Sequence, residues 1–413
     1  MNRRTLTRRL YAPLSALALG ASALVFSNYA KAQERPDDLT QLPAVPTDFT
    51  PEKTAWGDYD FTGTWPIENL NAGRILFQRP TQYGDRYWVN DEEFERRLEA
   101  ARGNDGNFAQ ASDQGVGAPG TEGLEDWFRS SNFGKRTSML VSPADGQLPA
   151  LTSEGQRLFE EGRSGWVPGQ HYDWVTDFDS WDRCVSRGFP ASMYPFRYNN
   201  GIRVFQAPGT VTIVLEMLGT RVVKLYDSQQ AAEAAGWPEP TEAWMGNSRG
   251  WWEGKTLVIE TTNIVSGDSA TRDAFERSAS PLNMATQHTG TSEVPSFNTI
   301  PMSSQAHTLE RLTMTGPDTI VHELTYTDPE VYTEPWTTRI EWTRDEDYQF
   351  YEYACHEGNY MPRDYISASR AQREAIARGE SPEVTAENDD RSRFAQQFDW
   401  DPGVGPRPQP SGG

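Results

Sequence analysis

Cysteine is scarce in this chain. Only Cys184 and Cys355 occur in 413 residues, too few for a disulfide-dense scaffold or a cysteine-rich zinc site. Basic residues are also in deficit, with 38 Lys and Arg against 59 Asp and Glu, and no basic run survives past the N-terminus. Phosphate binding releases counterions only from a basic stripe, so DNA and RNA drop out as partners. No apolar run is long enough to cross a bilayer as a helix; the best, Ala12 to Phe26, falls short. Nucleophile elbow, HExxH, phosphate-loop and dinucleotide patterns are all missing, which removes support for the common hydrolase, zincin, kinase and dehydrogenase readings. What is present is an acidic chain with 12% aromatic residues, able to build a sizeable core in one large domain or two ordinary ones.

The N-terminus reads as an address label. Arg3, Arg4, Arg8 and Arg9 precede the apolar run, and Ala30-Lys31-Ala32 follows as a small-x-small cleavage site. Removing residues 1–32 takes away those four arginines and Lys31 but no acid, which moves the formal charge from −21 to −26. The expected location is periplasmic or secreted. Thr7-Arg8-Arg9-Leu10-Tyr11 leaves a twin-arginine route open beside the simpler general secretory one. In an exported chain the two cysteines read most simply as one disulfide, whose entropic stabilisation has a ceiling near about 5 kcal/mol for so long a loop. The competing reading is a nucleophilic or metal-binding cysteine assisted by the adjacent His356.

Residues 33–57 read as an extended leader, and 58–370 as a β-rich domain with a helical and loop insertion at about 90–165. A short helix and an acidic Pro- and Gly-rich tail without fixed structure fill 371–413. Asp60 to Trp65 reads as a first strand, Asp91 to Arg102 as an amphipathic helix and Gly103 to Gly123 as a loop. From Ile202 the pattern becomes strands joined by tight turns: 203–206, 210–217, 221–226, 250–252, 256–262, 308–315, 319–327, 337–344 and 348–355. So many antiparallel strands leave two edges or curl closed, so the expected fold is mainly β, an antiparallel meander closing into a lipocalin-like or related barrel. Within it, Ile320, His322, Leu324 and Tyr326 alternate with Val321, Glu323 and Thr325, two faces of one strand.

Three stretches carry chemical potential. In His171 to Pro190, Asp173, Asp177, Asp179 and Asp182 lie beside Trp174 and Trp181; the spacing lacks the central glycine of a calcium loop and reads first as turn-capping aspartates. Two such carboxylates in different environments would also serve as acid and base. In Trp244 to Asn263, Trp252 and Arg249 could form a platform for a flat or anionic ligand, or Trp251 and Trp252 could simply face opposite sides of a strand. In Tyr351 to Tyr360, Cys355 precedes His356, which a disulfide would bring close to Asp182 and Arg187. Of five histidines, His322 falls inside a strand, where it is equally a packed residue or a base.

Taken in order, SPADGQLPALTSEGQ, DRCVSRGFP, QAPGTVTIVLEM, MGNSRGWWEGKTLVIETTN, ERLTMTGPDTIVHELTYTDPEVYTEPW and YEYACHEGNY resemble a large family of exported, mostly uncharacterised bacterial proteins, over about residues 58–370. The resemblance implies export and a β-rich, lipocalin-like body, and brings no activity with it. Such proteins often read His-Asp before an arginine where this chain has Leu218-Gly219-Thr220-Arg221. Three functions stay open. The first is an enzyme acting on a small polar or aromatic molecule by acid/base chemistry, as lyase, isomerase or hydrolase, with no cofactor or metal. His356 or His322 would be its base, Asp179 or Asp182 its acid or orienter, and Arg187 or Arg221 the anion holder. Trp252, Arg249 and Trp181 would contact the ligand. The second is a binding barrel using the same pocket, and the third a structural envelope protein.

Overall fold

Turn chemistry sets the strand order. Gly209 at φ +72° closes the hairpin of β3 (Ile202–Ala207) and β4 (Thr210–Leu215), and Gly254 at φ +63° closes that of β6 (Asn247–Glu253) and β7 (Thr256–Thr262). The computed structural model describes residues 35–67, 75–113, 133–161, 171–178, 180, 182–195, 199–265 and 302–385. The expected export signal, Asp179, Trp181, His288 and most of the acidic tail lie outside these residues. The remaining strands are β1 (Gly63–Thr64), β2 (Leu140–Ser142), β5 (Thr220–Leu225), β8 (His307–Gly316), β9 (Thr319–Thr327) and β10 (Trp336–Thr343). All ten join one mixed sheet in the order β1-β3-β4-β5-β6-β7-β8-β9-β10-β2, curled into a half-barrel that ends in the two shortest strands. Short edges limit pairing with other chains. No helix among the described residues is long and apolar enough to cross a membrane.

The pairing registers put one residue parity on the concave face: Ile213 on β4, Arg221 and Val223 on β5, Leu257 and Ile259 on β7, Glu310 and Leu312 on β8, Ile320, His322 and Leu324 on β9, and Ile340 and Trp342 on β10. The apolar members of this set belong to one core. The alternation expected in β9 is therefore present. The core is completed by Trp65, Phe77, Phe189, Met193 and Tyr194, which come from outside the long strands and fill the hollow.

Four sequence expectations change. Strands β5 and β6 pair in parallel, at Lys224↔Arg249 and Leu225↔Gly250, so the sheet is not wholly antiparallel. The reason is the crossover through helix α3 (Gln229–Ala234), which packs on β6 and returns the chain in the same direction. Residues 348–355 form no strand. Glu216 captures the Tyr348 hydroxyl at 2.7 Å and the Tyr351 amide at 2.9 Å, so that segment is pinned by a side chain and not by a ladder. The first strand shrinks to two residues. Helix α1 spans Asp91–Asp113, through Gly103 where a loop was expected, and α2 spans Ser153–Glu161. Reciprocal hydrogen bonds between Asn90 and Glu93 cap the start of α1, Leu98 and Ala101 anchor it in the core, and Gly103 and Gly106 cost the helix only about 1 kcal/mol each.

Candidate functional site

A charge lies on the apolar parity of β8. Thr308, Glu310, Leu312 and Met314 all face inward, and Glu310 is 0% exposed. An unpaired buried carboxylate is untenable, so its partners define the site. Arg221, from β5, donates Nη1 to Oε1 at 3.0 Å and Nη2 to Oε2 at 2.5 Å, an end-on bidentate pair. His322, one strand over and also 0% exposed, shares Oε1 through Nε2 at 2.9 Å. Arg221 Nη2 further donates to Ser248 and Thr261 hydroxyls, both at 3.1 Å, and these hydroxyls bond each other at 2.9 Å. Burial alone would push the Glu310 carboxyl up; the Arg221 charge and the His322 hydrogen bond outweigh it and hold the carboxyl down at about 2.

The cluster is covered by the chain that follows the disulfide. Cys184 and Cys355 are bridged, with Cα atoms 5.6 Å apart across 171 positions. Beyond Cys184, Phe189 stacks under the Arg221 guanidinium at 4.4 Å, Met193 Sδ lies 3.5 Å from Nη1, and the Tyr194 hydroxyl meets Thr338 Oγ1 at 3.2 Å. Burial and the Glu310 charge both raise the Tyr194 phenol, which stays a neutral donor. The His322 ring lies 4.9 Å from that of Trp342. Among the described residues, His322 Nδ1 and Trp342 Nε1 have no hydrogen-bond partner. In the neutral tautomer that donates Nε2–H to Glu310, Nδ1 carries the lone pair.

The other residues singled out from sequence divide among four places. His356 is exposed on the turn beside Cys355, and Asp182 accepts from Asn359 Nδ2 through its backbone carbonyl at 2.8 Å; the staple joins these stretches as expected, yet both stand apart from the Glu310 contacts. Arg187 is buried and donates to the Tyr194 carbonyl at 3.3 Å, holding the cover in shape. Arg249 faces the convex side, clamping the Ala232 and Glu233 carbonyls of α3 and pairing with Glu260 at 2.8 Å. Trp252 packs edge-on against Tyr59 and Phe61, four residues along β6 from Ser248, while Trp251 packs under α3 with Ala232. The two tryptophans thus face opposite sides, both in contact with protein. Asp179 and Trp181 lie outside the described residues.

Asp177 caps turns, accepting the Asp173 and Trp174 amides at 2.7 and 2.9 Å, which matches the turn-capping reading. Among the described residues no three His, Cys, Asp or Glu side chains converge as a metal would require. Sequence reasoning missed Glu310, although its sharing of strand parity with Leu312 and Met314 was the available signal. Comparison with protein-family models, curated proteins and solved structures gives no match.

Proposed function

We propose that this chain is an exported enzyme of the lipocalin-like kind resembled by its motifs, its sheet closing around a small polar or aromatic substrate that is processed by acid/base chemistry. The observation that carries this reading is the wholly buried His322 Nδ1 without a partner, on a ring oriented by Glu310. An unsatisfied buried nitrogen costs about 1–3 kcal/mol, and a carboxylate-oriented imidazole with a bare nitrogen is the arrangement of a general base. Its partners divide the work. Glu310 fixes the ring and steadies the imidazolium that proton abstraction creates. Arg221 keeps Glu310 ionised and offers positive charge beside an anionic substrate group. Tyr194, neutral and near Glu310, is placed to return a proton. The cover from Phe189 to Tyr194 must shift to admit the substrate, and the Cys184–Cys355 staple holds one end of it while it does.

A second reading, a binding barrel without turnover, is favoured by the Nε1–H group of Trp342 on the same concave face, which has no partner among the described residues, suits an acceptor-bearing ligand and needs no proton transfer. One experiment separates the two. The purified protein is incubated with a panel of small aromatic and hydroxylated carboxylic acids and their esters, scoring saturable thermal stabilisation and, by mass spectrometry, conversion. Conversion that His322→Gln abolishes, with stabilisation retained, supports the enzyme. Stabilisation with ligand recovered unchanged supports the binder, and equal conversion by His322→Gln removes His322 as the base.

A further inference from the structure

A second group of arginines is buried with no carboxylate in hydrogen-bond contact among the described residues. Arg79 is 2% exposed and Arg136 3%. Both guanidinium groups lie against the Tyr87 ring, Arg79 at 4.4 Å and Arg136 at 5.8 Å from its centroid, and Arg136 also lies 5.1 Å from Trp88. Their hydrogen bonds go to backbone only: Arg79 Nη1 donates to the carbonyls of Gly84 at 3.3 Å and Ala144 at 3.0 Å, and Arg136 Nε to that of Tyr87 at 3.2 Å. Arg79 Nε and Nη2 and Arg136 Nη2 have no partner among the described residues. Neutral carbonyls and ring faces soften a buried cation but do not cancel its charge. Desolvation, with the charges of Arg339 and Arg79 adding to it and Glu341 opposing, lowers Arg136 to about 9.

The pattern of free atoms is specific. Nε and Nη2 form the side-on edge of a guanidinium, two parallel N–H bonds spaced to meet two oxygens of one carboxylate or phosphate. In Arg79 this whole edge is free, while its other nitrogen is held by two carbonyls that fix the plane of the group. Gly146 packs directly on it; a Cβ there would come within 2.9 Å of Arg79 Nε. A neutral water would satisfy one hydrogen bond and leave both charges standing. An anion would satisfy the fork and offset one of the two charges as a carboxylate, or up to both as a phosphate. The leader crosses the same rings: Leu39 accepts from the Tyr87 amide at 2.9 Å and Gln41 from Trp88 Nε1 at 2.8 Å, which shields the place from solvent and strengthens its field.

We infer that Arg79 and Arg136, stacked on Tyr87, form a binding site for a small oxyanion, taken two-pronged by the side-on edge of Arg79. The site is separate from the Glu310 cluster. Its test compares acetate and inorganic phosphate with chloride at matched ionic strength, using thermal unfolding of the purified protein. At least one of the oxyanions raises the unfolding temperature saturably and chloride does not; which one does distinguishes a carboxylate from a phosphate ligand. Arg79→Gln and Arg136→Gln each weaken the apparent affinity by about tenfold or more, the weight of charge-assisted hydrogen bonds, while the distant Arg311→Gln leaves it unchanged. An equal rise with chloride, no rise with either oxyanion, or a full rise in Arg79→Gln overturns the site. Should the glutamine variants fail to fold, Arg79→Lys keeps the charge without the fork and is expected to lose the same affinity. Independently, the 19F line of trifluoroacetate broadens with wild-type protein and is sharpened by competing acetate or phosphate; no broadening overturns the site as well.

Discussion

Arg221 and Arg136 are almost equally hidden from water, yet the sheet treats them in opposite ways. Arg221 points into the hollow and meets Glu310 with both terminal nitrogens, with His322, Ser248 and Thr261 completing the shell. Arg136, with Arg79, lies beneath the leader within reach of the opposed fields of Arg339 and Glu341, both of the convex parity of β10, and its direct contacts are carbonyls and rings alone. The difference teaches that burial by itself does not tell what a charge is for. A compensated charge holds the fold together and positions a titratable neighbour; an uncompensated one is a standing demand for a counter-charge.

The sharpest way to break this comparison is to remove one arginine from each region. Arg221→Met leaves Glu310 buried and unpaired and is expected to destabilise by about 3–5 kcal/mol in urea unfolding, whereas Arg79→Met removes an unneutralised charge along with two backbone hydrogen bonds and is expected to stay within about 1 kcal/mol of wild type. Comparable large losses in both would mean the two sites are compensated alike. Next in size, Cys184→Ser with Cys355→Ser opens the staple that anchors the cover over the Glu310 cluster; a cost of about 2–5 kcal/mol is expected, and the oxyanion response at Arg79 should survive it.

The two regions also titrate in different windows. Glu310 has a native value of about 2, below its unfolded value, so its stabilisation is complete above the unfolded carboxyl range near 4.5 and is lost as the pH falls through about 2. Acid unfolding followed by circular dichroism should show this loss, and Arg221→Met should shift it upward. Arg136 has a native value of about 9, below its unfolded 12.5, so between those values the unfolded chain holds more protons and the Arg136 contribution to stability rises with pH. The difference in stability between wild type and Arg136→Gln isolates it from the buried tyrosines, which act in the opposite sense; a flat difference from pH 8 to 11 would count against an uncompensated charge. The smallest effect belongs to a half-exposed pair outside both regions: Arg311→Gln, which breaks the 2.6 Å contact with Glu253, should cost about 0.5 kcal/mol or less in the same urea assay.

Much of the frame was legible in the sequence. The hairpins around Gly209, Gly254 and Gly316-Pro317-Asp318 follow from turn residues, the parity of His322 from strand alternation, and the disulfide from two cysteines in a chain read as exported. The site was legible only in part. His322 and Arg221 were both marked, but with no sign that they shared a carboxylate, because Glu310 lies 89 positions from Arg221 and only pairing of β5 through β9 brings them together. Arg249 was marked, like Arg221, as a residue that could meet an anionic ligand. One residue of parity relative to Ser248 placed it on the convex face, bound to α3.

By itself, then, the sequence determined a mainly β, disulfide-linked body, because turn propensity, two-residue alternation and cysteine count act locally or through composition. The tertiary structure alone decided the crossover that makes β5 and β6 parallel, the pairing of Glu310 with Arg221 and His322, and the solitude of Arg79 and Arg136. Those depend on which distant strands become neighbours and on how completely water is excluded between them. Electrostatic consequences of burial are set by distance in space, which separation along the chain does not encode.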